Sequence, residues 1–292
     1  MMVFEGSCTA LVTPMNKNGM VNYFSLKSLI EYQIASNTKA LLILGTTGES
    51  PTITEEERIK IIKFCVCLTS KRVPLIVGCG SNSTKEACKK VKQAEELGAD
   101  AVLVVTPYYN KCNSQGLYLH FKQVALSTNL PVIIYNVPSR TGVNITPEVV
   151  LKLSKIKNIV GIKEASGNIS QIAELCHILP KSFAVYSGDD AITLPCMSLG
   201  AKGVISVTSN CYPEAVSNMC DFALNGDYFN ASRIHNSLYK VSKAMFFDVN
   251  PICVKAYLNM QGFDVGSVRL PLTPAGENLL KKLKEIKENY EN

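Results

Sequence analysis

The chain has 292 residues, 47% of them apolar and 18% charged, enough to enclose a sizeable core in one large domain or two smaller ones. Its 30 basic and 24 acidic residues leave a net charge of +6. Lys85, Lys89, Lys90 and Lys92 alternate with Glu86, Glu95 and Glu96 at helical spacing, a pattern that predicts a solvated helix face and argues against a nucleic-acid surface.

No run approaches 18 apolar residues, and the opening stretch MMVFEGSCTALVTP lacks a basic segment followed by a long apolar one. A soluble, cytoplasmic chain with no membrane partner is therefore expected. The cysteines number 11, an odd count with no C-x-x-C, and several (Cys8, Cys65, Cys67, Cys79, Cys196) sit inside apolar segments. They read as reduced thiols that act mostly as small core residues. His120, His177 and His235 are far apart and show no metal-ligand spacing, so no metal is expected.

Along the chain, short apolar runs ending in Gly, Ser, Thr or Pro alternate with amphipathic segments. The runs are CTALVTP (8–14), ALLILGT (40–46), PLIVGCG (74–80), ADAVLVVTP (99–107), PVIIYNVP (131–138), IVGIKEAS (159–166), FAVYSGD (183–189) and GVISVTS (203–209). Continuous Val, Ile and Leu suit strands buried on both faces, as in parallel sheets. TEEERIKIIKFCVCL opens with Thr54 and Glu57 in capping-box spacing and places Ile59, Ile62 and Val66 on one stripe. STKEACKKVKQAEELG repeats the device with Ser83 and Glu86 and closes on Gly98. Eight strand–helix units predict a (β/α)8 TIM barrel over 1–226. An open doubly wound sheet is the alternative, but no G-x-G-x-x-G opens a helix after a strand. From 227 to 292 the pattern is helical only, which predicts a C-terminal helical extension, an appendage or oligomer-contact layer.

Function in a barrel belongs at the C-terminal ends of the strands. Those ends carry Thr46, Thr47 and Glu49, then Tyr108 and Tyr109, Tyr135 and Arg140, Lys163, and the polar SGDD and SVTSN turns. Lys163 closes the apolar run Ile159–Ile162, where an ammonium group is costly to bury. Taken alone it reads as a lysine whose head snorkels to water. At the mouth of a barrel it is instead desolvated, which disfavours its charged form and leaves a neutral amine, the nucleophile for a carbonyl. Tyr135 on the adjacent strand is the natural hydroxyl for proton transfer, with Thr46 as a link. The hydroxyls and N–H groups of Thr46 and Thr47 suit a small carboxylate, and the Arg140 guanidinium suits another. Glu164 should point to the opposite face by strand alternation.

With G-T-T-G-E at 45–49, Y-N-V-P-S-R-T-G at 135–142 and the lysine of G-I-K-E-A at 161–165, the chain resembles the class I pyruvate-dependent aldolase family over essentially its whole length. The resemblance implies that Lys163 captures pyruvate as a Schiff base, with no separate cofactor. It implies a proton relay from Tyr135 through Thr46 to Tyr109, the last reaching in from a neighbouring subunit. Thr46 and Thr47 would hold the pyruvate carboxylate, the backbones of Gly188 and Ile205 would line the pocket, and Arg140 would bind the carboxylate of aspartate semialdehyde. The implied reaction is condensation of these two substrates in lysine and diaminopimelate biosynthesis, by a homotetramer or a dimer. N-acetylneuraminate lyases on the same barrel typically carry Ser-Thr at the strand-two motif and lack the arginine, so Thr46-Thr47 with Arg140 favours the condensing enzyme over a sugar-acid lyase. The intact set of Lys163, Tyr135 and Thr46 argues against a non-catalytic, carboxylate-sensing barrel. Ser50, Asn82, Glu86 and Tyr108 match a lysine effector site. Glu55 and Arg58 stand where lysine-sensitive members often have histidines, and Pro51 where alanine is common, which counts against lysine inhibition here.

Overall fold

Eight strands, β1 (Gly6–Ala10), β2 (Ala40–Ile43), β3 (Leu75–Gly78), β4 (Ala101–Val105), β5 (Val132–Asn136), β6 (Ile159–Glu164), β7 (Ala184–Ser187) and β8 (Gly203–Ser206), pair in chain order, and β8 closes on β1. All pairings are parallel. The structure is a computed structural model that describes residues 2–291. The helices that return the chain between strands are α1 (Tyr23–Ala35), α2 (Glu55–Thr69), α3 (Thr84–Glu96), α4 (Ser114–Ala125), the short α5 (Pro138–Thr141), α6 (Pro147–Leu153), α7 (Ile169–Ile178) and α8 (Thr193–Ser198), with α9 (Pro213–Leu224) following β8. The predicted eight-unit barrel is thus the observed fold.

Two apolar layers hold it together. Outward-facing strand residues such as Leu41, Val77, Val104, Ile134 and Ile162 pack under the helices. Cys8, Ala40, Leu42, Ile76, Leu103, Ile133, Tyr186 and Ile205 fill the lumen. Phe4 stacks on Tyr186 at 4.2 Å between ring centroids and plugs the N-terminal end, while the Tyr186 hydroxyl donates to the Phe4 carbonyl. The lumen is therefore a packed core open only towards the strand C-termini, which fixes where a ligand can enter. Seven of the eleven free thiols are buried, and burial pushes the Cys8, Cys65 and Cys196 thiols well above the ordinary cysteine range.

Local signals were realised with two adjustments. Thr54 and Glu57 make the full capping box on α2, and Ser83 caps α3, with Gly98 at φ +91° just beyond its end. The core-facing stripe of α2 is Arg58, Ile61, Ile62, Cys65 and Thr69. Ile59 and Val66 flank that stripe, half-buried, because α2 is rotated so that the Arg58 side chain reaches the end of β3. The α3 lysines are mostly solvated as expected, but Lys90 is half-buried, and burial followed by the nearby Arg58 charge holds its ammonium below the usual lysine value.

The segment after α9 folds into α10 (Tyr228–Ala244), α11 (Ile252–Met260) and α12 (Glu277–Glu291). Among the described residues no helix is long and apolar enough to cross a membrane. Among the same residues no group of three or more His, Cys, Asp or Glu side chains could hold a metal ion.

Candidate active site

Lys163 owes its position to an irregularity in β6. The registers of β5 and β6 run Val132 to Ile159 but then Ile133 to Gly161, so one residue, Val160, is extra on β6. Strand alternation carried from Ile159, which packs under the helices, would send Lys163 to that same outer face. The bulge reverses the parity. Lys163 then pairs with Tyr135 on one side and Tyr186 on the other, both luminal. Glu164 takes the outer face instead, where it is 1% exposed. Its carboxylate accepts from Asn136 Nδ2, Gln171 Nε2 and the Ser166 N–H. That network ties down the strand end immediately beyond the lysine.

Lys163 is 5% exposed, and its Nζ lies 4.6 Å from the centroid of the Tyr135 ring. Together they line a cavity of about 180 Å³ with Ala10, Leu42, Thr46, Thr47, Leu103 and Arg140. Gly188 also lines it, and a Cβ at that position would stand 2.6 Å from Ala165 Cβ and 3.1 Å from Lys163 Cε. The absent side chain is what leaves Lys163 its room.

The turn after β2 presents the two threonines. Leu44 and Glu49 both adopt left-handed backbone, φ +54° and +56°, and Leu44 approaches β3 so closely that a Cβ on Gly78 would lie 2.1 Å from its carbonyl. Within the turn, Gly48 N–H donates to Gly45 O and Glu49 N–H to Thr46 O. The N–H groups of Thr46 and Thr47 have no acceptor among the described residues. Two free N–H groups and two hydroxyls beside a cavity form a cradle for a small carboxylate.

The C-terminal segment supplies a further wall that the sequence reading did not assign. Ser242 and Lys243 at the end of α10, then Phe246 and Asn250, line the same cavity. Asn250 Nδ2 donates to Thr47 Oγ1 at 2.9 Å, and the exposed Arg140 lies with Nη2 at 3.5 Å from the Asn250 carbonyl. The only signal for this role was the Asn-Pro turn at 250–251, which marks a loop but not what the loop approaches.

Of the predicted site residues, the structure gathers Lys163, Tyr135, Thr46, Thr47, Arg140 and Gly188 around one cavity. Ile205 is fully buried in the luminal layer against Cys8, and β8 contributes to the wall through Val207, just beyond its end. Tyr109 stands outside, 91% exposed with φ +69°. Ser50 and Glu86 share a separate cavity of about 100 Å³ with Glu55, Arg58, Lys89 and Lys90. Tyr108 lines a different one, and Asn82 accepts from Asn110 Nδ2 through its carbonyl.

A luminal lysine amine at the C-terminal mouth of a (β/α)8 barrel, beside a tyrosine and a carboxylate cradle, defines an enzyme of the class I aldolase type, a lyase. Residues 3–289 match the dihydrodipicolinate synthetase family, and the chain belongs to that family. It is 48% identical to the 4-hydroxy-tetrahydrodipicolinate synthase of Thermoanaerobacter sp. (strain X514) over 291 residues, 99% of this chain and 98% of the relative. It is 47% identical to the enzyme of the same name from Clostridium novyi (strain NT), again over 99% of this chain and 98% of the relative. The crystal structure of dihydrodipicolinate synthase from Aquifex aeolicus superposes with a TM-score of 0.96 at 46% identity, over 99% of this chain and 98% of that one.

Proposed function

We propose that the chain condenses pyruvate with aspartate 4-semialdehyde to 4-hydroxy-tetrahydrodipicolinate, a step of lysine and diaminopimelate biosynthesis. The observation that carries the chemistry is the luminal Lys163, held against Tyr135 in a cavity that also holds Thr46, Thr47 and Arg140. Full-length relatives bearing the synthase name support the choice of acceptor.

In this reading the Lys163 amine attacks the ketone of pyruvate through its nitrogen lone pair to give a carbinolamine, which loses water to form an iminium. Thr46 and Thr47 hold the pyruvate carboxylate. Loss of a methyl proton gives an enamine, whose carbon attacks the aldehyde held by Arg140. The substrate amine then displaces Lys163, closing the ring and freeing the enzyme. Tyr135 moves protons, passing them through Thr46 to Tyr109 of a neighbouring copy, for which the exposure of Tyr109 leaves room. Gly188 and the β8 backbone around Ile205 shape the wall. The barrel, 1–226, carries the chemistry, and the helical segment 227–292 closes one side of its mouth. The enzyme works in the cytoplasm as a homotetramer or dimer, and the covalent imine takes the place of a cofactor.

The cavity around Ser50 and Glu86 is given no lysine-binding role. Arg58 is bound to Gly78 O, Gln93 Oε1 and Cys79 Sγ, and Lys89 to Glu55. A cationic amino acid would meet Arg58, Lys89 and Lys90 there; of the two carboxylates in the lining, Glu55 is paired with Lys89, and Glu86 lies close enough to Lys89 and Lys90 to pull the pKa of both upward.

Borohydride reduction in the presence of pyruvate tests the reading. A stable adduct mapped to Lys163 is expected, abolished by Lys163→Ala. Arg140→Ala should keep adduct formation and raise the KM for the aldehyde by about 10- to 100-fold, the loss of one charged contact. An adduct on another lysine, or none, would overturn it.

A further inference from the structure

We propose that Asn250 is a positioning residue for pyruvate: its side-chain amide dictates where Thr47 sends its proton. The inference rests on the reading of Thr47 as a ligand of the pyruvate carboxylate.

A threonine hydroxyl has one proton to give and lone pairs that accept. Asn250 Nδ2 donates to Thr47 Oγ1 at 2.9 Å, which fills the accepting side and leaves the Thr47 proton to be given. No other partner of Thr47 Oγ1 exists among the described residues, and both Thr47 and Asn250 line the cavity that contains Lys163. The hydroxyl proton is therefore free to meet an anion there. The opposite amide orientation would have Asn250 accept the Thr47 proton and remove it from the cavity.

Two features set this contact apart. Asn250 is 6% exposed, and its Oδ1 is buried with no donor among the described residues. A buried acceptor left unpaired is unfavourable, and a packing role alone would be better served by an apolar side chain of similar shape. The two segments are also pinned in register. Lys255, in the first turns of α11 just beyond Asn250, bonds Glu49, which follows Thr47 in the turn after β2. Asn250 also touches the second anion contact, because its carbonyl lies 3.5 Å from Arg140 Nη2. A segment outside the barrel thus sets the direction of one carboxylate contact and abuts the other.

Asn250→Asp supplies the test, because it keeps the shape but turns the donor into an acceptor that competes for the Thr47 proton. Pyruvate KM, and the half-saturating pyruvate for borohydride trapping, should each rise by about tenfold or more, while kcat at saturating pyruvate stays within about threefold. Asn250→Ala, which removes the amide without adding charge, should raise the same KM by a smaller factor. In a Thr47→Val background, where there is no proton to direct, Asn250→Asp should add less than about twofold. Three results would overturn the inference: an unchanged pyruvate KM, the same fold increase in the Thr47→Val background, or a loss confined to kcat and thermal midpoint. Failure of the wild-type enzyme to trap pyruvate would instead overturn the pyruvate reading itself, and this inference with it.

Discussion

Lys255 and Glu49 lie 206 positions apart in the chain and meet in an ion pair of 2.7 Å, each side chain only 2% exposed. Each partner makes a further hydrogen bond. Lys255 Nζ also donates to Ser267 O, and Glu49 Oε2 accepts the Arg269 N–H. Burial pulls the Lys255 ammonium below its ordinary value, and Glu49 pulls it back. Because Glu49 terminates the turn that carries Thr46 and Thr47, the pair fastens the carboxylate cradle to the C-terminal helices.

Breaking that pair from one side leaves an uncompensated buried charge. Lys255→Met or Glu49→Gln should each destabilise the protein by about 3–5 kcal/mol, and the double variant should recover much of the loss. Thermal or urea unfolding at one fixed protein concentration measures this. Additive losses in the double variant would mean that the two residues act independently.

The second relationship to probe is the bulge in β6. A Cβ at Gly161 would lie 2.7 Å from Ala184 O and 3.2 Å from Ala184 Cβ, on the neighbouring strand. Gly161→Ala must therefore push β6 from β7 or undo the bulge that turns Lys163 inward. A stability loss of about 2 kcal/mol is expected from overpacking, with a fall in the rate of pyruvate trapping out of proportion to the folded fraction. Normal trapping by whatever fraction folds would separate the bulge from the placement of Lys163.

These two cases mark what the sequence could and could not disclose. The eight strands were legible because both of their faces are buried, so each appears as an unbroken apolar run whatever its register. Lys163, Tyr135, Thr46 and Arg140 were legible because each stands at the end of such a run, where a barrel places its chemistry. The extra residue Val160 was not, since a continuous run such as Ile159–Ile162 has no alternation to break. Asn250 and Lys255 were not either. Helical periodicity tells which side of α11 is apolar but not which loop it meets, and a buried lysine there looks like any lysine on an amphipathic helix. The α2 stripe was displaced for a related reason: Arg58 was left out of it as a charge, yet it is buried through its hydrogen bonds to Gly78, Cys79 and Gln93.

Acid stability should depend on His120. It sits on α4, 4% exposed, with Nδ1 at 2.9 Å from Thr84 Oγ1 on α3 and Nε2 unpaired among the described residues. Burial lowers its pKa from the ordinary 6.5 to about 4, so the folded protein holds a neutral ring. The unfolded chain takes up the proton first as pH falls. The neutral ring's contribution is thus fully present above pH 6.5 and is lost progressively down to about pH 4, a swing of up to about 3 kcal/mol. His120→Leu, which fills the space without a titrating group, should lower stability at pH 7 through loss of the Thr84 bond but flatten the decline between pH 6.5 and 4. Urea unfolding across that range measures the slope. A variant whose stability falls as steeply as the wild type in that window would place the acid sensitivity on other groups.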